Sequence, residues 1–280
     1  MKEISFPSLF SLQGYIRPRD ILVVGCGGTG AYTISHLARF ISALDSPPRL
    51  CIADGDLVEE KNLLRQHFIS RDIGKNKAEV LGERYSAAFG IPISIITKDI
   101  EKSSDFPHNL RNRDVLIIGC VDNNASRKVI YDYCLSRSNS GYMTFWIDSG
   151  NEEVNGQVIC GFFKSKYARY GYYYNDVNTQ IINSRMSGLF NMPASVEVYP
   201  ELLEEDSKFN SDLSCAERAI SAPQHMMINV TAATMIMNYV QAILSTEPLT
   251  SHGVEFSIKN AFAARLNTKE NLAATTKRKV

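Results

Sequence analysis

The chain has 280 residues, about 44% hydrophobic and 21% charged, enough to bury a full core as one large domain or a domain with an appendage. Its 30 basic and 30 acidic side chains give a formal net charge of zero, which leaves no electrostatic reason for a nucleic acid as principal partner. No apolar run approaches the roughly 20 residues of a membrane span, and the first residues lack the layout of a secretory signal, so no membrane partner and a cytoplasmic location are expected.

Residues 21–25, Ile-Leu-Val-Val-Gly, form a short branched apolar run that ends in Gly25-Cys-Gly27-Gly28-Thr-Gly30 and passes into an amphipathic stretch at 31–43. The order predicts strand, phosphate-binding turn, helix. Ser46-Pro-Pro closes the helix, Leu50-Cys-Ile-Ala-Asp54 is a second buried strand, and 76–89 is an amphipathic helix. Residues 93–97 make a third strand and 114–120 a fourth, followed by the polar turn Val121-Asp122-Asn123-Asn124 and a helix at about 125–135. Two more strands are expected at 143–148 and 157–163.

Strands alternating with helices at this spacing predict an α/β, parallel, doubly wound Rossmann-like sheet with its ligand crevice at the carboxyl ends of the strands. Asp54 and Asp122 both fall at such ends. After residue 164 the pattern weakens into a Tyr-, Asn- and Ser-rich stretch lasting to about residue 214, a length of structureless chain that is functional or mobile in a compact enzyme. Regular structure resumes with a helix at about 223–244 and short strands near 254–258 and 261–266.

The glycine turn brings backbone close to phosphate oxygens, and the helix behind it offers unpaired N–H groups and a positive dipole end. Asp54 suits ribose hydroxyls. A nicotinamide-dependent oxidoreductase explains both features equally well. What it does not explain is the segment that follows: Asp54-Gly-Asp56, then Asn62-Leu-Leu-Arg65-Gln66, then Gly74-Lys-Asn-Lys77. Arg65 and Lys77 bring fixed positive charge to one side of the crevice, and displacement at phosphorus needs charge stabilisation at the transferred group and at departing pyrophosphate. Hydride transfer makes no such demand. The pattern points to a triphosphate.

Gly-x-Gly-Gly-x-Gly at 25–30, Asp-x-Asp at 54–56, Asn-x-x-Arg-Gln at 62–66, Gly-x-x-Lys-Ala at 74–78 and Asp-Asn at 122–123 resemble the ThiF/MoeB/HesA superfamily, bacterial relatives of ubiquitin-activating enzymes. The match is continuous over about the first 160 residues. Details such as Leu37-Ala-Arg-Phe, His67-Phe and Asp72-Ile-Gly are most similar to ThiF-like proteins of plasmid PRTRC systems and of bacterial ubiquitin-like conjugation operons. The resemblance implies one adenylation domain over 1–280, with a nucleotide-binding core at 1–164, a crossover loop at 165–221 and a C-terminal helix and strands at 222–280.

It also implies roles. Gly25, Gly27, Gly28 and Gly30 cradle the nucleotide, Asp54 binds the ribose, Asp56 is a further nucleotide-binding residue, and Asn62, Arg65, Gln66 and Lys77 surround the phosphates. Asp122 holds Mg2+, with Asn123 and Arg127 in support. The implied reaction is adenylation by ATP of the C-terminal glycine of a ubiquitin-like β-grasp protein. Cys215, in Leu213-Ser-Cys-Ala-Glu, then takes the acyl group as a thioester for a conjugating enzyme or acceptor. A homodimer is implied as well.

The six cysteines, at 26, 51, 120, 134, 160 and 215, contain no Cys-x-x-Cys pair, so zinc is not expected. The N-terminal helix that lends an arginine to a partner subunit in relatives is not recognisable, although Arg17 and Arg19 precede the first strand. Lys164-Ser-Lys-Tyr-Ala-Arg-Tyr-Gly-Tyr-Tyr-Tyr mixes cations with aromatics and suits docking of the ubiquitin-like partner better than a nucleobase. Three alternatives stay open: a sulfur-carrier activator of the thiamine or molybdopterin type, an NAD-dependent oxidoreductase, and a non-catalytic scaffold.

Overall fold

The computed structural model describes residues 18–110, 112–138, 142–163, 192–204, 226–245, 249, 251–259 and 263–267. Five strands, β1 (Asp20–Val24), β2 (Arg49–Ala53), β3 (Ile93–Ile96), β4 (Val115–Gly119) and β5 (Thr144–Asn151), run parallel in the order β3-β2-β1-β4-β5. Beyond β5 the sheet continues through β6 (Asn155–Phe163), β7 (Gly253–Ser257) and β8 (Ala263–Asn267), each antiparallel to its neighbour. The expected strands are all found in an α/β, Rossmann-like sheet; the parallel arrangement holds for β1–β5 and gives way to antiparallel pairing from β6 to β8, eight strands in all. The β5–β6 link at 152–154 is too short for a crossover helix, so the chain reverses as a hairpin.

Alternating side chains on the parallel strands bury both faces of the sheet. Ile21, Val23, Leu50, Ile52, Leu116 and Ile118 face a layer made by α1 (Gly28–Ser42), α2 (Lys77–Phe89) and the long C-terminal helix Met226–Ser245. Leu22, Val24, Ile117 and Trp146 face α3 (Asn124–Ser138) and the 3-10 turns around Phe106 and Leu110. Ile34, Leu37 and Ile41 lie on one stripe of α1 and are at most 1% exposed, each worth roughly 1.5–3 kcal/mol of burial. That packing fixes α1, and with it the turn at its start.

Two local expectations change. Residues 192–204, inside the stretch read as structureless, contain a short helix, α4 (Ser195–Val198), and a 3-10 turn at Pro200–Leu203. Met192, Ala194 and Val196 are buried there, and Phe162 N donates to Met192 O at 3.0 Å, so the segment is a packed part of the fold. The C-terminal helix, α5 (Met226–Ser245), has an 18-residue window of mean hydropathy 1.3, so by length and composition it is able to cross a bilayer, contrary to the expectation that no stretch approaches that length. Here its Ile228, Ala232, Ile236, Val240 and Ile243 are buried in the layer shared with α1.

Candidate functional site

In the order β3-β2-β1-β4 successive strands are added on one side of β1 up to β3 and on its other side from β4, and a cleft of about 1570 Å³ opens at the carboxyl ends of these parallel strands. Gly25 starts its floor with φ +92°, a left-handed backbone in which a side chain is strained, and a β-carbon there would lie 2.5 Å from Cys120 O. Gly25 N donates to Ala53 O at 2.9 Å and Cys120 N to Val24 O at 2.8 Å, so the turn is tied to both neighbouring strands. Gly25, Gly27 and Gly28 line the cleft; Gly30 does not. Its β-carbon would meet Gly25 O at 1.9 Å, so Gly30 lets α1 begin tight against the turn. No side chain caps α1 at Gly27, and its first turn carries no acid, which leaves its N–H groups facing the cleft.

Asp54 closes one end. Its two carboxylate oxygens accept from Cys26 N at 2.6 Å and Asp56 N at 2.8 Å, locking the side chain beside the turn. Burial raises its pKa above the ordinary carboxylate range, opposed by nearby Lys77 and by the two backbone N–H groups. Asn76 caps α2, accepting from Glu79 N at 3.1 Å, while its Nδ2 donates to Asp54 O and Asp56 O at 2.9 and 3.2 Å. This double use joins the end of β2 to the start of α2 and delivers Lys77, whose Nζ sits 2.7 Å from Asp56 Oδ2. The phosphate lysine of the sequence reading is thus held by the neighbouring motif acid.

The intervening segment 55–76 folds back on itself. Val58 N donates to Lys75 O at 2.8 Å, Gly74 N to Val58 O at 2.9 Å, and Arg84 of α2 pairs with Asp72. Buried Asn62 accepts from Glu59 N at 2.8 Å through its side chain and from Arg65 N and Gln66 N through its carbonyl at 3.2 and 2.8 Å. Asn62 therefore shapes the turn that presents the next two residues. Among the described residues Arg65 makes no ion pair and the buried Oε1 of Gln66 has no hydrogen-bond partner. Gln66 Nε2 would lie 3.8 Å from a β-carbon on Gly27. Asp54, Asp56, Asn62, Arg65, Gln66 and Lys77 all line the cleft.

Asp122 follows β4 across the cleft, exposed, with its Oδ1 3.4 Å from Asn123 Nδ2. Asn123 Oδ1 accepts from Ser126 N at 2.8 Å, which makes Asn123 the cap of α3. Buried Arg127 donates to Val121 O at 2.8 Å and Ser149 O at 3.2 Å and pairs with Asp148 at 3.2 Å, clamping the turn before Asp122 against the end of β5. Burial raises the pKa of Asp148, and Arg127 opposes the rise. Among the described residues no three His, Cys, Asp or Glu side chains gather as a metal cluster. Magnesium does not require one, because it binds through one or two carboxylates, waters and substrate phosphates. The accessible oxygens of Asp122 fit that demand.

Sequence reasoning missed the bonds of Asn76, Asp99, which accepts from Gly55 N at 3.0 Å, and a polar group of Thr29, Asn151 and Asn229 at the other end of the cleft. Only Asn76, a polar residue just before a helix, carries a local signal. Cys215, Arg17 and the Lys164–Tyr174 run lie outside the described residues. Arg19 is exposed at the amino end of β1, the opposite end from the cleft, and contributes nothing to the cleft of its own chain.

The pattern of the ThiF family matches residues 7–275. The chain belongs to the ThiF family. Among curated proteins it is similar to the adenylyltransferase and sulfurtransferase UBA4 of Yarrowia lipolytica, 30% identical over 125 residues, 44% of this chain and 30% of that protein. Among solved structures, E. coli MccB matches with a TM-score of 0.57 and 18% identity over 89% of this chain and 62% of MccB. PaaA matches with a TM-score of 0.55 and 14% identity, over 88% of this chain and 72% of PaaA. At these identities the solved structures establish the shared fold. This ThiF-family chain spans less than two thirds of MccB and under a third of UBA4.

Proposed function

We propose that this ThiF-family protein uses MgATP to adenylate the C-terminal glycine carboxylate of a small β-grasp, ubiquitin-like protein. The supporting observation is the convergence of Arg65, Gln66 and Lys77 with Asp54 and Asp122 on one cleft around the glycine turn. That cleft, about 1570 Å³, exceeds the roughly 300–1,000 Å³ of an ordinary small-molecule site and leaves room for a peptide tail beside a nucleotide. MccB, similar in fold, has a solved structure with ATP, and UBA4 carries adenylyltransferase in its name.

In this reading Asp54 accepts from the ribose, the turn and the start of α1 hold the phosphates, and Arg65 and Lys77 offset negative charge on the departing pyrophosphate. Asp122 would hold magnesium, which when bound draws charge from the phosphate oxygens. A carboxylate oxygen of the glycine attacks the α-phosphorus, the bond from that phosphorus to the bridging oxygen of the β-phosphate breaks, and the acyl adenylate and pyrophosphate result. Leu57, Leu64, Ile69 and Ile73, all in the segment between Asp56 and Gly74, are exposed, and this concentration of uncovered apolar side chains in one segment supports the homodimer part of the proposal. A cytoplasmic location is also part of it.

A thiolate of Cys215 then attacks the acyl carbon and AMP departs. The other five cysteines support this choice, since burial raises every one of their pKa values, Cys51 to about 11 and Cys120 to about 12. None of the five is available as a thiolate at neutral pH. The test is exchange of labelled pyrophosphate into ATP with a small β-grasp protein that ends in glycine. Exchange is expected with wild type and with Cys215→Ala, whereas a thiol-sensitive adduct forms only with wild type. No exchange with wild type refutes adenylation; equal loss of exchange in Cys215→Ala refutes the division into two steps. UBA4's sulfurtransferase name favours a second reading, delivery of sulfur to the activated carboxylate, which a persulfide-dependent thiocarboxylate product would reveal.

A further inference from the structure

Three polar side chains distant in sequence meet on the β5 side of the glycine turn. Asn151 Nδ2, at the end of β5, donates to Thr29 Oγ1 at 2.6 Å and lies 3.3 Å from Asn229 Oδ1. Thr29 Oγ1, on α1, donates in turn to Asn229 Oδ1 at 3.2 Å. Two donors directed at one oxygen fix the orientation of the Asn229 amide, so its Nδ2 faces away from both. That nitrogen is buried and has no hydrogen-bond partner among the described residues.

The placement is costly. Asn229 is 1% exposed and sits in α5 beside Ile228, Ala232 and Ala233, all fully buried. An amide left without acceptors in such surroundings costs about 1–3 kcal/mol. Yet Asn229 lines the cleft, and a β-carbon on Gly28 would stand 2.5 Å from its Nδ2, so the amide lies directly over the glycine turn. A buried, preoriented donor beside an anion cradle calls for an acceptor, which a bound ligand can supply.

The sheet order identifies that acceptor. Asp54 follows β2 and Asn151 ends β5, three strand spacings apart, roughly 14 Å at about 4.8 Å each. An acyl adenylate with its ribose on Asp54 and its single phosphate over the turn carries its acyl group beyond that phosphate, toward the β5 side where Asn229 lies. We infer that Asn229 donates to the acyl oxygen of the second substrate, orienting its carboxylate toward the α-phosphorus and retaining the acyl adenylate. This rests on the adenylation reading above.

The probes are AMP and 5′-O-(N-glycylsulfamoyl)adenosine, an unreactive mimic of a glycyl adenylate, titrated into the full chain by calorimetry. Asn229→Leu keeps the side-chain bulk and removes the N–H donors without adding a charge; Asn229→Ala removes amide and bulk together, and melting curves identify the variant that keeps the fold. Wild type should bind the mimic more tightly than AMP. The variants should lose about 10- to 100-fold for the mimic, the worth of a hydrogen bond to a charged group, and under about threefold for AMP.

Equal losses for both ligands would overturn the assignment, leaving Asn229 a phosphate ligand or a structural residue. A wild type that binds AMP and mimic equally would overturn it too, whereas a wild type that binds neither refutes adenylation itself. A crystal structure of the wild-type chain with the mimic decides independently of any variant. Nδ2 within hydrogen-bond reach of the acyl oxygen supports the inference, and Nδ2 turned to the sulfamate alone contradicts it.

Discussion

Asp122→Ala is expected to lower pyrophosphate exchange by at least about 100-fold while leaving the melting temperature nearly unchanged. Asp122 is exposed after β4, and among the described residues its side chain makes a long hydrogen bond to Asn123, so the fold loses little with it. The turn that carries it is held by other groups: Arg127 on the carbonyls of Val121 and Ser149, and Asn123 capping α3. Removing a positioned charge from a transferring phosphoryl group costs about 10²–10³ in rate. Exchange kinetics and a thermal melt of the same preparation check both halves. A large fall in melting temperature would mean that Asp122 supports structure, and unchanged exchange would remove it from the chemistry.

Lys77→Ala should reduce exchange by roughly 100-fold and move its pH dependence. The ion pair with Asp56 is not what matters for stability, because the Asp56 side chain is 67% exposed and such a pair is worth about 0–1 kcal/mol. Its electrostatic effect on Asp54 is larger in consequence. Burial already holds the pKa of Asp54 above its ordinary value, and Lys77 is the foremost influence lowering it. Without Lys77 that pKa rises further, so Asp54 takes up its proton at a higher pH and loses ribose acceptance there. ATP affinity should therefore fall on the acid side in both proteins, and the fall should begin at higher pH in Lys77→Ala. Titrations of ATP affinity between pH 4 and 8 measure the displacement; coincident acid limbs would show that Lys77 does not act on Asp54.

The nucleotide half of the fold is legible in the sequence because its physics is local. The apolar runs at 21–24, 50–53 and 115–118 are buried on both faces, as unbroken hydrophobic strands must be, and the glycine turn, Asn76 and Gly90 mark helix boundaries directly. The antiparallel direction of β6, β7 and β8 is not legible, since alternation along a strand carries no record of which way its neighbour runs. Nor is the packing of Met192 and Ala194 onto β6, which depends on a close approach at Gly161.

The candidate site divides the same way. Asp54, Asn62, Arg65, Gln66 and Lys77 fall within one short stretch and reach one cleft, so their types and spacing suffice to suggest a polyphosphate. The Lys77–Asp56 pair and the capping role of Asn62 follow from turn geometry that spacing alone does not give. Asn229 meets Thr29 across 200 residues of sequence, brought there by the packing of α5 on α1. In the sequence it is one polar residue in an apolar helix.

On the proposed function, the cationic side chains around the glycine turn serve a polyphosphate rather than a dinucleotide. The direct measurement is side-by-side calorimetric titration of the full chain with MgATP and with NAD, repeated on Arg65→Ala/Lys77→Ala. MgATP should bind more tightly than NAD, and the double variant should lose most of that preference. Tighter binding of NAD, with no change in either affinity in the double variant, would contradict the claim.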